Sequence, residues 1–280
     1  MMAKKYLLYV DILGFGSIVK NDPEKVERIY GILDSLNAHK HDVFKTIVFS
    51  DTVLVYSDDT PTDRPEDHEY LVWYSIEFAE DLHHRLTGQD VYFRAVLLYG
   101  EFQRYSLENV EAFFGCALVD AYSREKSIPS LGLFIDERCN KYNKYFQTAP
   151  FSDDLRFVYL CRSLEGLQHI TGGTVPITAP HPHWFDDNYP NLAWQVKFLE
   201  DVHKNMRGHP NPNVRVKHLT VWDFYEQRYP NILTHLVNNN FALQSISEGY
   251  DFSVQLDRMT RDIEYFGKGG SPSILDDKLP

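Results

Sequence analysis

The sequence predicts an α+β protein with an N-terminal sheet domain and a mostly helical C-terminal part. The first observation is the order of the elements predicted between residues 6 and 136, which is β-α-β-β-α-β-α-β. The second is a change after residue 145, beyond which apolar residues recur mainly at helical spacing. The third is an aromatic content of 14%, which favours a sheet. A βαββαβ order is typical of ferredoxin-like sheets, so we expect that core with extra elements.

Length and composition agree with a folded chain of about two domains. The chain has 280 residues, and domains commonly contain roughly 150. Its residues are 43% hydrophobic and 24% charged, close to the globular average, which excludes wholesale disorder. We expect a catalytic domain over residues 1–145 and a helical extension over residues 146–280.

The strands are predicted from runs rich in β-branched and aromatic residues. Residues 6–13 are almost continuously apolar, as in a buried central strand. Residues 43–57 form two such runs separated by Asp51, which predicts a tight hairpin with a carboxylate at its tip. Further strands are predicted over residues 91–102 and 131–136, with another possible over 157–161.

The helices are predicted from apolar spacing and from residues suited to helix ends. Asn21 or Asp22 can cap a helix with Pro23 in its first turn. Helical spacing then predicts helices over residues 23–40, 69–86, 113–126, 192–206, 216–227, 232–239 and 252–266.

Charge and cysteine content exclude several function classes. The chain has 28 basic and 40 acidic residues, a net charge of −12. This argues against nucleic-acid binding, because affinity for phosphate backbones comes from clustered Lys and Arg. The three separated cysteines have no zinc-site spacing and suit a reducing compartment. No apolar run is long enough to predict a transmembrane helix. We therefore expect a cytoplasmic protein that binds neither nucleic acid nor membrane.

Two aspartates are the strongest candidates for chemistry. Asp11 lies near the end of the first predicted strand and Asp51 at the hairpin tip. On neighbouring strands their carboxylates can bind Mg²⁺ or Mn²⁺ together with triphosphate oxygens. A turn at Gly14-Phe15-Gly16 leads into a helix and offers backbone N–H groups to phosphate. The alternative is that Asp11 caps a helix and Asp51 is an ordinary turn residue.

Four short motifs, in order and at compatible spacing, resemble those of class III nucleotidyl cyclases. They cover about half of the chain. The motifs are Val10-Asp11-Ile12-Leu13-Gly14-Phe15, Phe49-Ser50-Asp51-Thr52-Val53-Leu54-Val55, Arg94-Ala95-Val96-Leu97-Leu98-Tyr99-Gly100 and Gly115-Cys116-Ala117-Leu118-Val119-Asp120-Ala121-Tyr122.

The resemblance implies roles for individual residues. Asp11 and Asp51 match the two metal-binding aspartates, and Ile12 matches the position whose carbonyl completes the metal site. Gly14 and Phe15 lie in the turn that contacts phosphate. Arg94 opens the family's Arg-to-Gly strand, and its guanidinium would hold phosphate oxygens. For Arg94 the alternative is a salt bridge at the strand edge.

The departures from the family pattern concern the base and the transition state. The family usually has Gly before the second aspartate, where this chain has Ser50. Purine cyclases place a base-reading Lys four residues before that aspartate, where this chain has Ile47, and Lys45 lies two residues further away. The transition-state Asn aligns with Val119 or, if one residue is inserted, with Asp120, and in the second alignment Arg124 matches the transition-state Arg. An Asp in place of that Asn would put a negative charge near the phosphorus.

A chain of this family without purine-reading residues is similar to the pyrimidine cyclases of bacterial Pycsar anti-phage systems. That resemblance implies conversion of UTP to 3′,5′-cyclic UMP and diphosphate with two Mn²⁺ or Mg²⁺ ions. It also implies a homodimer and a separate effector protein gated by the cyclic nucleotide. UTP is favoured over CTP. The alternatives are a purine or cytidylate cyclase, or a non-catalytic nucleotide-binding module with the cyclase fold.

Overall fold

The computed structural model describes residues 3–40, 42–58 and 60–269. The chain divides into two compact units. The first comprises Met1–His83 and Val91–Leu160, and the second comprises His84–Asp90 and Cys161–Pro280. Residues 270–280 of the predicted extension lie outside the described residues.

The first unit is built on a seven-stranded sheet and a separate two-stranded ribbon. The strand order in the sheet is β2-β3-β1-β4-β7-β9-β8, and β5 pairs only with β6. The strands are β1 (Lys4–Ile12), β2 (Phe44–Phe49), β3 (Thr52–Ser57), β4 (Phe93–Glu101), β5 (Gln103–Ser106), β6 (Glu111–Phe114), β7 (Gly132–Asp136), β8 (Thr148–Pro150) and β9 (Leu155–Val158).

Eleven helices are present among the described residues, together with short 3₁₀ turns at Asn37–Lys40 and Leu243–Ile246. They are α1 (Phe15–Asn21), α2 (Pro23–Asp34), α3 (Pro65–Leu86), α4 (Cys116–Ser127), α5 (Glu137–Asn140), α6 (Arg162–Thr171), α7 (Trp184–Asn188), α8 (Leu192–Gly208), α9 (Pro212–Arg228), α10 (Pro230–Asn238) and α11 (Ser253–Phe266).

The predicted α+β class is confirmed, including the ferredoxin-like core. Strands β1 to β4 pair antiparallel in the order β4-β1-β3-β2, with α2 between β1 and β2 and α3 between β3 and β4. Strand β7 then adds parallel to β4, which requires the crossover that contains α4. The predicted hairpin is also confirmed, because Phe49 pairs with Thr52 and only Ser50 and Asp51 connect the strands.

Strand β1 lies at the centre of the first unit's core. Residues Tyr6 to Val10 are buried, which explains the continuous apolar run in the sequence. Residues directly opposite each other in an antiparallel sheet share a face. Asp11 therefore shares a face with Thr52 of β3 and Arg94 of β4, while Ile12 faces the other side.

Several element boundaries differ from the sequence predictions. The helix predicted over residues 23–40 ends at Asp34, because the backbone N–H of Ser35 bonds back to Gly31 and Leu33 and a 3₁₀ turn follows. The helix expected to follow the turn at Gly14-Phe15-Gly16 is α1, and it begins within that turn, at Phe15. Residues 113–114, expected in a helix, belong to the ribbon, whose two short strands were not predicted.

The sheet continues past residue 145. Strands β8 and β9 belong to it, since β9 pairs antiparallel with β7 and with β8. The assignment of residues 1–145 as a catalytic domain remains a prediction about function.

The second unit is helical, as expected. Helix α8 carries its longest run of buried residues, from Leu192 to Val196. Rings of α8 contact rings of α9: Phe198 lies 6.2 Å from Tyr225, and His203 lies 5.0 Å from Trp222, between ring centroids. No helix that the structure describes combines the length and apolar character required to cross a lipid bilayer.

Candidate active site

Asp11 and Asp51 meet at one end of the sheet. The backbone N–H of Ile12 donates a hydrogen bond of 2.9 Å to the carbonyl of Asp51. Asp11 itself pairs with Thr52, the residue after Asp51. The two predicted metal-binding aspartates are therefore joined through the backbone by Ile12, the third predicted ligand.

The phenol of Tyr9 lies in the electrostatic field of both carboxylates. Its hydroxyl is 3.3 Å from the hydroxyl of Thr52. Burial raises the pKa of Tyr9, and the charges of Asp11 and Asp51 raise it further. Tyr9 stays neutral near neutral pH and can serve as a hydrogen-bonding group beside the aspartates.

The turn before Asp51 has an unusual backbone. Ser50 has φ = 57°, in the left-handed region that glycine adopts more readily than other residues. This explains why a glycine suits the position in the family pattern that the sequence resembles. The hydroxyl of Tyr30 donates a hydrogen bond of 3.2 Å to the carbonyl of Ser50.

A second turn follows β1. Gly14 has φ = 75°, and its carbonyl accepts the N–H groups of Ser17 and Ile18 at the start of α1. The first N–H groups of a helix have no partner within it, so those of Phe15 and Gly16 remain for other acceptors. The ring of Phe15 is buried, so this residue can offer its backbone, not its side chain, to phosphate.

Arg94 is held in a buried ionic network. It forms a salt bridge with Glu125 of α4, and its Nη2 lies 3.5 Å from Oδ2 of Asp11. Its Nη1 donates to the carbonyl of Ile128. The side chains of Arg94 and Glu125 are only 10% and 5% exposed.

The alternative that the sequence left open for Arg94 was a salt bridge at a strand edge. Arg94 does form a salt bridge, but it does not lie at an edge. Strand β4 lies between β1 and β7, so Arg94 is in the middle of the sheet. Burial lowers the pKa of Arg94, while the neighbouring Asp11 acts in the opposite direction. In this network the guanidinium of Arg94 contacts Asp11, Glu125 and the carbonyl of Ile128, so a contact of Arg94 with phosphate remains a prediction.

Three residues of β2 share the face of Asp11. Lys45 pairs with Tyr56, Ile47 with Leu54, and Phe49 with Thr52, and these partners lie on that face. Phe49 is 79% exposed. Lys45 lies 3.7 Å from the carboxylate of Asp58.

Phe44 does not share this face. Its place in the sequence, next to Lys45 and near Phe49, makes its ring a candidate for filling a base pocket. It alternates with Lys45 along β2 and is buried on the opposite side, where its ring stacks on Tyr74 at 5.5 Å. Phe44 therefore belongs to the core below the sheet.

The two predicted transition-state residues lie on α4. Asp120 is exposed. Arg124 pairs with Asp154 at 2.7 Å, in the loop between β8 and β9. Within the described part of one chain, Arg124 forms its ion pair with Asp154 and not with Asp11 or Asp51.

The donors at the sheet end fit a hard divalent cation. Carboxylate and carbonyl oxygens are the ligands that Mg²⁺ and Mn²⁺ prefer. Within residues 3–40, 42–58 and 60–269, no group of three or more His, Cys, Asp or Glu side chains is arranged to hold a metal ion. Ions at Asp11 and Asp51 would therefore need further oxygen ligands from the backbone or from a nucleotide.

Sequence reasoning missed Glu125 as the partner of Arg94. A signal was present: Ala117, Ala121 and Glu125 are spaced by four residues, so all three lie on one side of α4. An acidic residue on a buried helix face requires a positive partner. Arg94, within an apolar strand, was the candidate.

The chain is similar in structure to several nucleotide cyclases. The adenylyl cyclase CyaB from P. aeruginosa is 14% identical over 57% of this chain and 95% of that chain, with a TM-score of 0.44. The guanylyl cyclase Cya2 is 16% identical over 56% and 93%, with a TM-score of 0.42. The guanylate cyclase domain of RhGC from Catenaria anguillulae, in complex with GTP, is 13% identical over 56% and 97%, with a TM-score of 0.45. No protein-family model and no curated protein matches the sequence.

Proposed function

We propose that this chain is a nucleotide cyclase that converts UTP to 3′,5′-cyclic UMP and diphosphate. The observation that carries the proposal is the junction of the three predicted metal ligands: the backbone N–H of Ile12, which directly follows Asp11 in the chain, donates a hydrogen bond to the carbonyl of Asp51. In this reaction the ribose 3′-oxygen attacks the α-phosphorus, loses its proton, and displaces diphosphate. The cyclic product would signal to a separate effector protein in cytoplasmic anti-phage defence.

The carboxylates of Asp11 and Asp51 and the carbonyl of Ile12 would hold two Mn²⁺ or Mg²⁺ ions. Such ions activate a hydroxyl and neutralise charge on phosphorus. Arg94 keeps Asp11 oriented through the contact at 3.5 Å. The N–H groups of Phe15 and Gly16, in the turn that begins at Gly14, would bind phosphate oxygens.

We further propose a homodimer with the site at the interface. Support comes from large apolar side chains that remain exposed in the first unit. They lie on the hairpin tip, on α4 and on the β5–β6 ribbon: Phe49, Val119, Tyr122, Tyr105, Leu107, Val110 and Phe114. A two-fold dimer that covers them would also bring Asp120 and Arg124 of one copy toward the other.

The base preference follows from the face that β2 presents. Ile47 stands where purine cyclases have a lysine, and the ring of Phe49 can occupy space that a purine would need. Lys45 is donor-only and suits the O4 acceptor of uracil over the N4 amine of cytosine. Because Lys45 also pairs with Asp58, its ammonium group would have to contact the base and Asp58 together. We therefore propose UTP over CTP, and both over ATP and GTP.

One observation favours a second candidate, a non-catalytic nucleotide-binding module. Arg94 and Arg124 are both engaged by carboxylates of the chain itself, Glu125 and Asp154. A purine cyclase or a cytidylate cyclase would share the metal site and differ only in the base contacts.

A competition assay tests these possibilities. The full chain is incubated with Mn²⁺ and equimolar UTP, CTP, ATP and GTP, and the cyclic products are identified by mass. Dominant cyclic UMP supports the proposal. Dominant cyclic CMP contradicts only the Lys45 argument, and dominant cyclic AMP or GMP contradicts the pyrimidine assignment. If nucleotide binds but no cyclic product forms, the binding-module alternative is correct.

A further inference from the structure

We infer that Tyr30 is a positioning residue that holds the backbone around Asp51 and links it to the turn at Phe15. The inference rests on the proposed function, since it concerns how the metal-binding aspartates are kept in place. No sequence motif pointed to Tyr30, which lies within α2 outside every segment of the family resemblance.

Both peptide groups that flank Asp51 are fixed by hydrogen bonds from outside the hairpin. The carbonyl of Ser50, before Asp51, accepts from the hydroxyl of Tyr30 at 3.2 Å. The carbonyl of Asp51 accepts from the N–H of Ile12 at 2.9 Å. The orientations of these two peptide planes set the direction in which the Asp51 side chain leaves the backbone.

The first of these bonds is needed because the turn is conformationally costly. A non-glycine residue is sterically disfavoured in the left-handed region, and Ser50 has φ = 57°. Without the bond from Tyr30, the peptide between Ser50 and Asp51 would be free to rotate toward less strained conformations. The Asp51 carboxylate would then be less well oriented.

Tyr30 also contacts the other turn of the site. Its ring lies 6.1 Å from the ring of Phe15 between centroids. Tyr30 also borders a cavity of about 660 Å³, which is lined by Leu33, Phe44 and Val48 as well. Because Tyr30 is 38% exposed, close packing does not fix its position, and the hydroxyl bond has that role.

The first test compares Tyr30→Phe with the matched control Tyr70→Phe. Tyr70 lies on α3 and is 37% exposed, so both changes remove one hydroxyl from a similarly exposed ring. We expect Tyr30→Phe to raise the Mn²⁺ concentration for half-maximal activity about three- to ten-fold, the effect of one hydrogen bond. The kcat at saturating Mn²⁺ should change less than about two-fold, and Tyr70→Phe should change neither value.

A second test uses Ser50→Gly. Glycine adopts φ > 0 without the steric cost, so the turn would depend less on Tyr30. In the Ser50→Gly background, Tyr30→Phe should therefore raise the Mn²⁺ requirement by less than half as much as in the wild type. Equal effects in both backgrounds would mean that Tyr30 does not act through this turn.

Direct measurement of Mn²⁺ binding separates this inference from the proposed function. Bound Mn²⁺ is quantified by electron paramagnetic resonance with a non-hydrolysable UTP analogue and no turnover. If the wild type binds Mn²⁺ but makes no cyclic nucleotide, the proposed function fails, and the Mn²⁺ affinity of Tyr30→Phe still decides the inference. If Tyr30→Phe binds Mn²⁺ with the same affinity as the wild type, the role of Tyr30 is overturned. A lower Mn²⁺ affinity of the variant supports that role. A wild type that binds no Mn²⁺ overturns both.

Discussion

Each compact unit contains a glutamate that pairs with an arginine, but the two pairs differ in burial. In the first unit, Glu125 and Arg94 are 5% and 10% exposed. In the second unit, Glu165 of α6 and Arg228 of α9 are 32% and 28% exposed. The second pair has favourable geometry, with two hydrogen bonds of 2.7 and 2.8 Å from one guanidinium to one carboxylate.

This difference favours the buried pair as the one that belongs to the candidate site. Removing charges from water costs several kcal/mol per ion, so a buried pair is weak evidence of stabilisation. The Glu125–Arg94 pair borders Asp11, and buried charges with perturbed pKa values cluster at functional sites. The Glu165–Arg228 pair is partly solvated. Its contact between two helices is sufficient to explain why it is present.

The largest effect is expected at the aspartates. Asp11→Asn and Asp51→Asn should each lower cyclic nucleotide formation by roughly 10³-fold or more, because neutral amides bind divalent cations poorly and charge on phosphorus is then not neutralised. The measurement is product formation at saturating Mn²⁺, with circular dichroism to show that the fold is kept. Asp63→Asn, in an exposed loop, is the control. Either variant retaining near-wild-type turnover would disprove the two-aspartate site.

An intermediate effect is expected for Glu125→Gln. The change removes the negative charge that pairs with the buried guanidinium of Arg94. Breaking a buried pair in this way typically lowers the free energy of unfolding by about 3 kcal/mol. Hydrogen exchange of the β1 and β4 amides should therefore become faster, while amides of α8 and α9 keep their rates. If the substitution speeds exchange equally in both units, or does not speed it in β1 and β4, the result would argue against the network.

Strands β1 to β4 and β7 could be predicted from the sequence because their signals are local, whereas β8, of three residues, could not. The apolar run of β1 and the paired runs around Asp51 follow from strand periodicity alone. The ribbon could not be predicted in this way, since Gln103–Ser106 and Glu111–Phe114 are four residues each and largely polar or exposed. Short strands that gain stability from their own pairing give little periodic signal.

The candidate site was only partly predictable for a related reason. Asp11 and Asp51 stand out because a charged residue interrupts or ends an apolar run. The contacts of Arg94 with Glu125, and of Tyr30 with Ser50, join residues that are distant in the chain. Such pairings depend on which helix face meets which strand; the spacing of Glu125 on α4 hinted at the first, and nothing in the sequence pointed to the second.

The smallest effect is expected for Glu165→Gln, and its pH dependence separates the two pairs. Burial acts to raise the pKa of Glu165, but hydrogen bonds from Arg228 and Tyr229 outweigh it and hold the pKa below the ordinary value. A carboxylate whose folded pKa is depressed stabilises the fold at pH values above its unfolded pKa, about 4.3. That stabilisation is lost as the pH falls through the folded pKa.

The wild type should therefore be about 1 kcal/mol more stable than Glu165→Gln at pH 7, a modest value because the pair is partly exposed. The difference should shrink below about pH 4. Tryptophan fluorescence during urea unfolding reports on the second unit, which holds Trp184, Trp194 and Trp222 of the four tryptophans. Glu226→Gln, on the exposed side of α9, is the control. A difference that persists unchanged to pH 3 would show that the glutamine alters packing instead of charge, and the contrast between the two pairs would lose its electrostatic basis.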